Sequence, residues 1–478
     1  MPGRMLNKFS LDAEIKAFMD WMDPTESEQK ARSAVLKTTL DVVEKEAPHL
    51  AAELFGSQRT GLAMPTSDLD IRLYHPRFKG RPGENTQELR VFVTRGLMLL
   101  HEALKNHPEY TLVEPHAGRF PLLSAVHKST GLRLQIVASP NSRKSRLVIR
   151  DSMRQHPHIK TLFTILKTVL DMRGLSDVYT GGMGSYSIFI MILAALNVRK
   201  WHQELSLLKY EIRLHRRNED RTEPPEASHS RSKAAREDTP AVLLLYVLDF
   251  YGARLNSYSF GLSAAPFSLF EKKVRHAPAI RAQARDNPLL AGQIDMAKPV
   301  LHQRYLLCLQ DPADPHNDLG RKSYAFKHVQ ATLHHLANAL RGKLTADVER
   351  ARTGKPVADP EHQCLLRLLV GRCDVVYDER RSKMELFGDG VLDESLDWLG
   401  LGTEDEGEEE EDEEGQSSPV GSRAEVESWL DDPLEGMEMR DVNEEEYIDP
   451  AVGLDFETWA AREGVVTEEE VTTRRGRG

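Results

Sequence analysis

The chain has 478 residues, of which 29% are charged and 40% hydrophobic, with three cysteines and a formal net charge of −11. That length exceeds one ordinary core, so two or three packed units are expected. Cys308, Cys364 and Cys373 are odd in number and show no Cys-x-x-Cys spacing, which excludes a disulfide framework or zinc ribbon and points to a reducing, intracellular compartment.

Charge divides the chain. Val391 to Gly478 holds about 30 acidic and 6 basic residues, leaving roughly 44 acidic against 57 basic before it. A basic body therefore lies under an acidic total, which fits a polyanionic partner such as RNA. The longest apolar run, Ile188 to Val198, is interrupted by Asn197 and too short to span a bilayer, so it reads as a buried helix and no membrane partner is expected. Arg4 and Lys8 alternate with Asp12 and Glu14, a poor pattern for a secretory signal or a mitochondrial presequence.

In chain order, Asp23-Pro24-Thr25-Glu26 reads as a helix start with Asp23 as cap, and the helix runs to about Lys45. Strands are expected at Leu54-Phe55, Leu69–Tyr74, Tyr110–Val113, Leu122–Val126 and Leu132–Val137, with a helix from about Thr86 to Lys105 among them. Residues 1–150 thus form an α/β (α+β) unit. From His158 the spacing becomes helical, with Ile159, Leu162, Phe163, Leu166, Val169 and Leu170 on one stripe. A mainly helical domain is expected over 151–385, with a mobile, apolar-poor insertion at 215–239 and helices at about 241–251 and 324–340. The acidic run Glu404–Glu414 and the lack of a lasting period beyond Leu401 mark 386–478 as a disordered acidic tail.

The chemistry concentrates in Phe55-Gly56-Ser57 followed by Ser67-Asp68-Leu69-Asp70. Strand side chains alternate, so the carboxylates of Asp68 and Asp70 project from one face and can share a metal. Gly56 removes a β-carbon where backbone approaches a triphosphate, and Ser57 adds a hydroxyl. Paired divalent ions held by such acids clamp the oxygens of an in-line phosphoryl displacement, and Mg²⁺ suits that arrangement. Further on, Tyr179-Thr180-Gly181-Gly182-Met183-Gly184-Ser185-Tyr186 opens a helix through a glycine-rich turn whose N–H groups are expected to face phosphate.

With Leu243-Leu244-Leu245 through Asp249-Phe250-Tyr251-Gly252, and Gln310-Asp311-Pro312-Ala313-Asp314-Pro315-His316-Asn317-Asp318-Leu319-Gly320-Arg321, these blocks resemble the noncanonical poly(A) polymerases and terminal uridylyltransferases of the DNA polymerase β superfamily, particularly the nuclear-surveillance type. The resemblance covers about Leu11 to Leu340. It implies a nucleotidyltransferase palm joined to a mainly helical central (PAP-associated) domain with the nucleotide between them, the N-terminal helix also packing on the central domain. It implies ATP and an RNA 3′ end as substrates, Mg²⁺ or Mn²⁺ at Asp68 and Asp70, and a nuclear rather than mitochondrial setting. Gly56, Ser57, Lys167, Gly184 and Ser185 match nucleotide-binding positions, Tyr186 would stack on the base, and Asn317 stands where uridylyl-preferring members tend to carry histidine, which favours ATP. No RNA-binding module is recognisable, so an RNA-binding partner protein is implied.

One position departs from the pattern. The third carboxylate of the family matches Gln135, whose amide is neutral and accepts no proton. Asp171 also replaces a second phosphate-binding lysine, and Glu114 is the neighbouring-strand carboxylate that could replace the missing one. Two readings follow: a polymerase adding AMP to RNA 3′ ends, or a catalytically degenerate relative that binds RNA or a partner. A small-molecule nucleotidyltransferase is a third, since the palm alone does not choose the acceptor.

Overall fold

A computed structural model describes residues 11–78, 87–116, 121–138, 142–178, 180–219, 238–272, 283–296, 303–353 and 364–391. It divides into two compact units. One contains Met22–Arg146 together with 374–391; the other contains 11–21 and Leu147–Cys373.

The first unit is built on a five-stranded sheet of β1 (Ala51–Phe55), β2 (Leu69–Tyr74), β3 (Tyr110–His116), β4 (Leu122–His127) and β5 (Arg133–Val137) in the order β1-β2-β5-β4-β3. Only β2 and β5 run parallel. Their connection carries helix α4 (Gln87–Asn106) and the β3–β4 hairpin. Alternation along the strands separates two faces. Leu69, Ile71, Leu73, Leu134, Ile136, Leu123 and Ala125 join one apolar core with Val35, Leu36 and Val43 of helix α2 (Glu26–Glu46) and Leu97, Leu100 and Leu104 of α4. The opposite parity carries Asp70, Arg72, Gln135 and Glu53. There Arg72, almost wholly buried, pairs with Glu53 at 2.9 Å and lies over the Tyr74 ring.

The α2 cap sits two residues later than its expected start at Asp23. Thr25 has extended backbone, accepts from Glu28 N, and receives the reciprocal bond from its own N–H to Glu28 Oε2 at 2.8 Å, a complete capping box. A second difference concerns the domain boundary. The expected helical domain 151–385 ends too late, and the expected tail at 386 begins too early. The helix Cys373–Gly388 belongs to the sheet unit, where Arg381 pairs with Glu28 at 3.1 Å and Thr25 Oγ1 donates to Glu385. Gly388 is pressed so close to Ser27 that a β-carbon would stand 1.9 Å from its carbonyl oxygen.

The second unit is mainly helical: α1 (Leu11–Met22), α5 (Arg143–Gln155, entering the unit at Leu147), α6 (Ile159–Asp171), α7 (Ser185–Glu219), α8 (Pro240–Asp249) and the helices Phe326–Thr353 and Leu365–Val370. The α6 stripe is buried throughout, as is most of the apolar run Ile188–Val198 within α7. Helix α1 is held here by Asp12, which accepts from Ala241 N, and Glu14, which accepts from Leu366 N. A three-stranded sheet, β7 (Phe267–Glu271), β6 (Phe260–Ala264) and β8 (Leu309–Gln310), has no counterpart in the expected elements. Among the described residues no helix is long and apolar enough to cross a membrane. Of the expected insertion at 215–239, helix α7 covers the start and Thr239 caps α8, while 220–237 lie outside the described residues, as does the acidic tail from 392 onward.

Thr25→Ala removes the cap and the bond to Glu385 together. It is expected to lower stability by roughly 1–2 kcal/mol in urea denaturation; an unchanged midpoint would show that the cap contributes nothing.

Candidate active site

In the sheet unit, Gly56, Asp68, Asp70 and Gln135 come together. Gly56 follows β1 with φ +68°, in the left-handed region that glycine adopts without strain. A β-carbon there would lie 2.1 Å from Asp70 Oδ2, so the glycine is required by a carboxylate rather than only by a ligand. Ser57 follows in the short helix α3 (Gly56–Thr60). The parallel register pairs Asp70 with Gln135, and Gln135 Nε2 donates to Asp68 Oδ2 at 3.1 Å.

Glu114 cannot take over the missing carboxylate. It shares the row Asp70–Gln135–Ser124–Glu114, but at three strand spacings from Asp70, or roughly 14 Å.

The loop leading to Asp68 is fixed from below by a residue absent from the expected site. Arg32 of α2 donates to the carbonyls of Ser67 (2.9 Å), Met64 (3.2 Å) and Pro65 (2.9 Å), while Met64 N donates to Ser67 Oγ. Burial, then the neighbouring Arg380, pulls the Arg32 guanidinium down to about 10, leaving it charged at neutral pH. Arg380, on the helix Cys373–Gly388, brings Nη2 to 3.9 Å from Asp68 Oδ1. Burial, reinforced by the charge of Asp68, pushes the Asp70 carboxyl from 3.8 up to about 7.

The donor set can be tested against the expected metal. Asp68 and Asp70 offer carboxylate oxygens from one strand face and could hold a single Mg²⁺ or Mn²⁺. A bridged pair of ions does not fit, because the third donor is an amide and one acid already faces a guanidinium.

The helical unit gathers a second group. Tyr186 Oη donates to Asp311 Oδ1 at 2.8 Å, and Asn317 Nδ2 donates to Asp311 Oδ2 at 3.0 Å. One buried carboxylate therefore orients two of the expected base-contacting side chains, and its backbone N–H bonds to Asn317 O as well. Nothing in local spacing marks Asp311 among the three acids of that loop. The loop is braced by Gln310, which donates to Leu289 O and Pro315 O, and by Asp318, which accepts from Leu309 N and Gly320 N. Asp249, in the block Leu243–Gly252, pairs with Arg254 and Arg341, so that block is scaffold.

The glycine turn differs from its expectation. Tyr179 lies outside the described residues, and the N–H groups of Gly181, Gly182 and Met183 bond to Val178 O, Asp177 O and Leu175 O, closing the turn on itself. Gly184 precedes α7, whose first residue is the exposed Ser185, so outward-facing donors belong to the helix start instead. Lys167 is half-buried and donates to Asp171 Oδ1 at 2.7 Å; Ser176 donates to the same oxygen. Asp171 thus partly neutralises the one lysine expected to meet phosphate.

The mixed sheet, with Asp68 just before β2 and Asp70 within it beside Gln135, has the arrangement of a nucleotidyltransferase palm. Residues 11–141 match the family model for the central palm domain of poly(A) RNA polymerase, mitochondrial-like. Over those residues the chain is similar to a poly(A) polymerase palm, and the curated proteins it resembles are named as poly(A) RNA polymerases. It is 26% identical over 341 residues to poly(A) RNA polymerase cid14 of Schizosaccharomyces pombe, covering 70% of this chain and 41% of that one. It is 24% identical over 323 residues to the inactive non-canonical poly(A) RNA polymerase protein Trf4-2 of Drosophila melanogaster, covering 66% and 64%. The chain therefore spans less than two thirds of the length of these relatives. Its fold is similar to that of the polymerase core of TRAMP, an RNA surveillance complex, with a TM-score of 0.53 at 20% identity, covering 76% of this chain and 94% of that one.

The Asp70 shift sets a pH dependence. The folded carboxyl keeps its proton between about pH 4 and 7 while the unfolded chain has released it, so folding stability falls as pH rises through that window. In metal-free buffer, Asp70→Asn should leave the melting midpoint near that of the parent at pH 4 and raise stability by roughly 2–4 kcal/mol at pH 8. Calorimetry at the two pH values reads the difference, and equal effects at both would contradict it.

Proposed function

We propose that this chain is a template-independent RNA nucleotidyltransferase that transfers AMP from ATP to RNA 3′ ends, in 3′-end processing or surveillance within the nucleus. The observation that carries this reading is the pair of Asp68, just before β2, and Asp70 within it, both beside Gln135, with Gly56 opened to admit the Asp70 carboxylate, in a poly(A) polymerase-like palm. In the reaction, the 3′ oxygen of the RNA bonds to the α-phosphorus of ATP as the bond to the β-phosphate breaks, and pyrophosphate leaves.

Mg²⁺ or Mn²⁺, when bound by Asp68 and Asp70, supplies positive charge to the triphosphate. The chain's own residues divide the remaining work. Gly56, Ser57, Lys167, Gly184 and Ser185 are assigned to the nucleotide. Tyr186 is assigned to stack on the base, held at its hydroxyl by Asp311, which also fixes Asn317 for adenine over uracil. The basic body draws the RNA strand, and an RNA-binding partner protein chooses it, in keeping with the complex to which the TRAMP polymerase core belongs.

A second reading is favoured by Gln135. With no carboxylate at the Gln135 position, the departing 3′-hydroxyl proton loses its acceptor and the transition state loses a charge, at a cost on the order of a thousandfold in rate. A scaffold that binds RNA or a partner would keep the fold with such a site, and one relative is named inactive.

Purified chain with ATP, Mg²⁺ or Mn²⁺ and an RNA oligonucleotide is expected to extend the RNA slowly. Gln135→Asp should accelerate extension by on the order of a hundredfold or more, and Asp70→Asn in that background should abolish it. No extension by either parent or Gln135→Asp would sink adenylyl transfer in favour of the scaffold. Asn317→His, read in the Gln135→Asp background, should move the ATP-to-UTP ratio of initial rates toward UTP by roughly threefold to tenfold; an unchanged ratio removes Asn317 from base selection.

A further inference from the structure

The helix Cys373–Gly388 delivers a cation to the acidic pair. Both oxygens of Asp68 are engaged: Oδ2 accepts the Gln135 amide at 3.1 Å, and Oδ1 faces Arg380 Nη2 at 3.9 Å. Nη2 and Nε of Arg380 are buried atoms with no hydrogen-bond partner among the described residues. The guanidinium is therefore held at these two nitrogens by charge, and by the docking of its helix through Arg381–Glu28 and Glu385–Thr25. Arg32 beneath the loop lies near enough to interact with Asp68 and Arg380, and Arg133 on β5 near enough to repel Arg380, so the surroundings of Asp68 are more positive than the Asp-Leu-Asp motif alone implies.

A divalent ion shared by Asp68 and Asp70 has to meet this field. Its two positive charges would sit within a few ångströms of a fixed guanidinium in a partly buried setting, where screening by water is weak. Bound at Oδ1 it would sit directly beside the guanidinium, and bound at Oδ2 it would share that oxygen with the Gln135 amide. We propose that Arg380 is a positioning residue that competes with the divalent ion for Asp68, so that this palm binds one ion, and binds it weakly, until the guanidinium is withdrawn. The inference rests on reading Asp68 and Asp70 as a metal-binding pair and does not require that AMP be transferred.

Mn²⁺ titration of the full chain without nucleotide or RNA, with free Mn²⁺ followed by electron paramagnetic resonance, tests it. Arg380→Gln is expected to bind a single Mn²⁺ at least about tenfold more tightly than the parent. Arg380→Lys, which keeps the charge, should stay within about threefold of the parent. Adding Asp68→Asn to Arg380→Gln should erase the gain. Circular dichroism melting establishes that each variant is folded; should Arg380→Gln fail, Arg380→Met keeps the apolar stem and gives the same reading. The inference is overturned if the folded neutral variant binds Mn²⁺ no more tightly than the parent, if Arg380→Lys shows the full gain, or if the gain survives Asp68→Asn. Absence of RNA extension would leave the titration result intact, so the two readings fail separately.

Discussion

The parallel pairing of β2 with β5 is the constraint on which the palm depends. That register sets Asp70 beside Gln135, places Asp68 within reach of the same amide, and turns Leu69, Ile71, Leu134 and Ile136 to the other face as core. A one-residue slip would bury the acids and expose the apolar row, so the hydrophobic face enforces the geometry of the polar one. Helices α2 and α4 cover the apolar side, and the polar side is left to charged partners whose arrangement is then decided by electrostatics rather than by shape.

Those charges are arranged as interlocking pairs. Arg32 satisfies three carbonyls of the Asp68 loop, Glu28 closes the cap of the same helix while meeting Arg381, and the neighbouring Arg380 faces Asp68. Helix α2 and the helix Cys373–Gly388 thus grip each other around the loop that presents the acid. Removing one member would strand its partner in a poorly solvated position, so these pairs matter more for keeping one arrangement than for net stability. In the helical unit, Asp311 plays the corresponding part by holding Tyr186 and Asn317 with its two oxygens.

Much of this was legible in the sequence. Alternation in Asp68-Leu69-Asp70, the apolar parity of the strands and the α6 stripe placed the palm, its acids and the start of the helical unit, because each depends on residues a few positions apart. The departure at Gln135 was also visible, since it lies in a strand segment of recognisable pattern. Arg380 was not, because its role arises from an approach across some 300 residues of chain and its helix shows a sparse apolar stripe, with Tyr377 and Met384 buried but Leu386 exposed. Asp311 looked like any loop acid, and Arg32 like a solvated helix charge. The strands β6 to β8 went unseen because β8 has only two residues and β6 is buried along almost its whole length, so neither carries the alternation that marks a strand.

The palm's composition from Met22–Arg146 and a helix beginning near 374 has a consequence for biogenesis. At about 5–20 residues per second, the ribosome completes the sheet roughly 12–50 seconds before it finishes the last piece of the same unit. During that interval Glu28 lacks Arg381 and Asp68 lacks its guanidinium while the helical unit emerges. Closure of the first-made unit thus awaits the end of the chain segment that encodes the other.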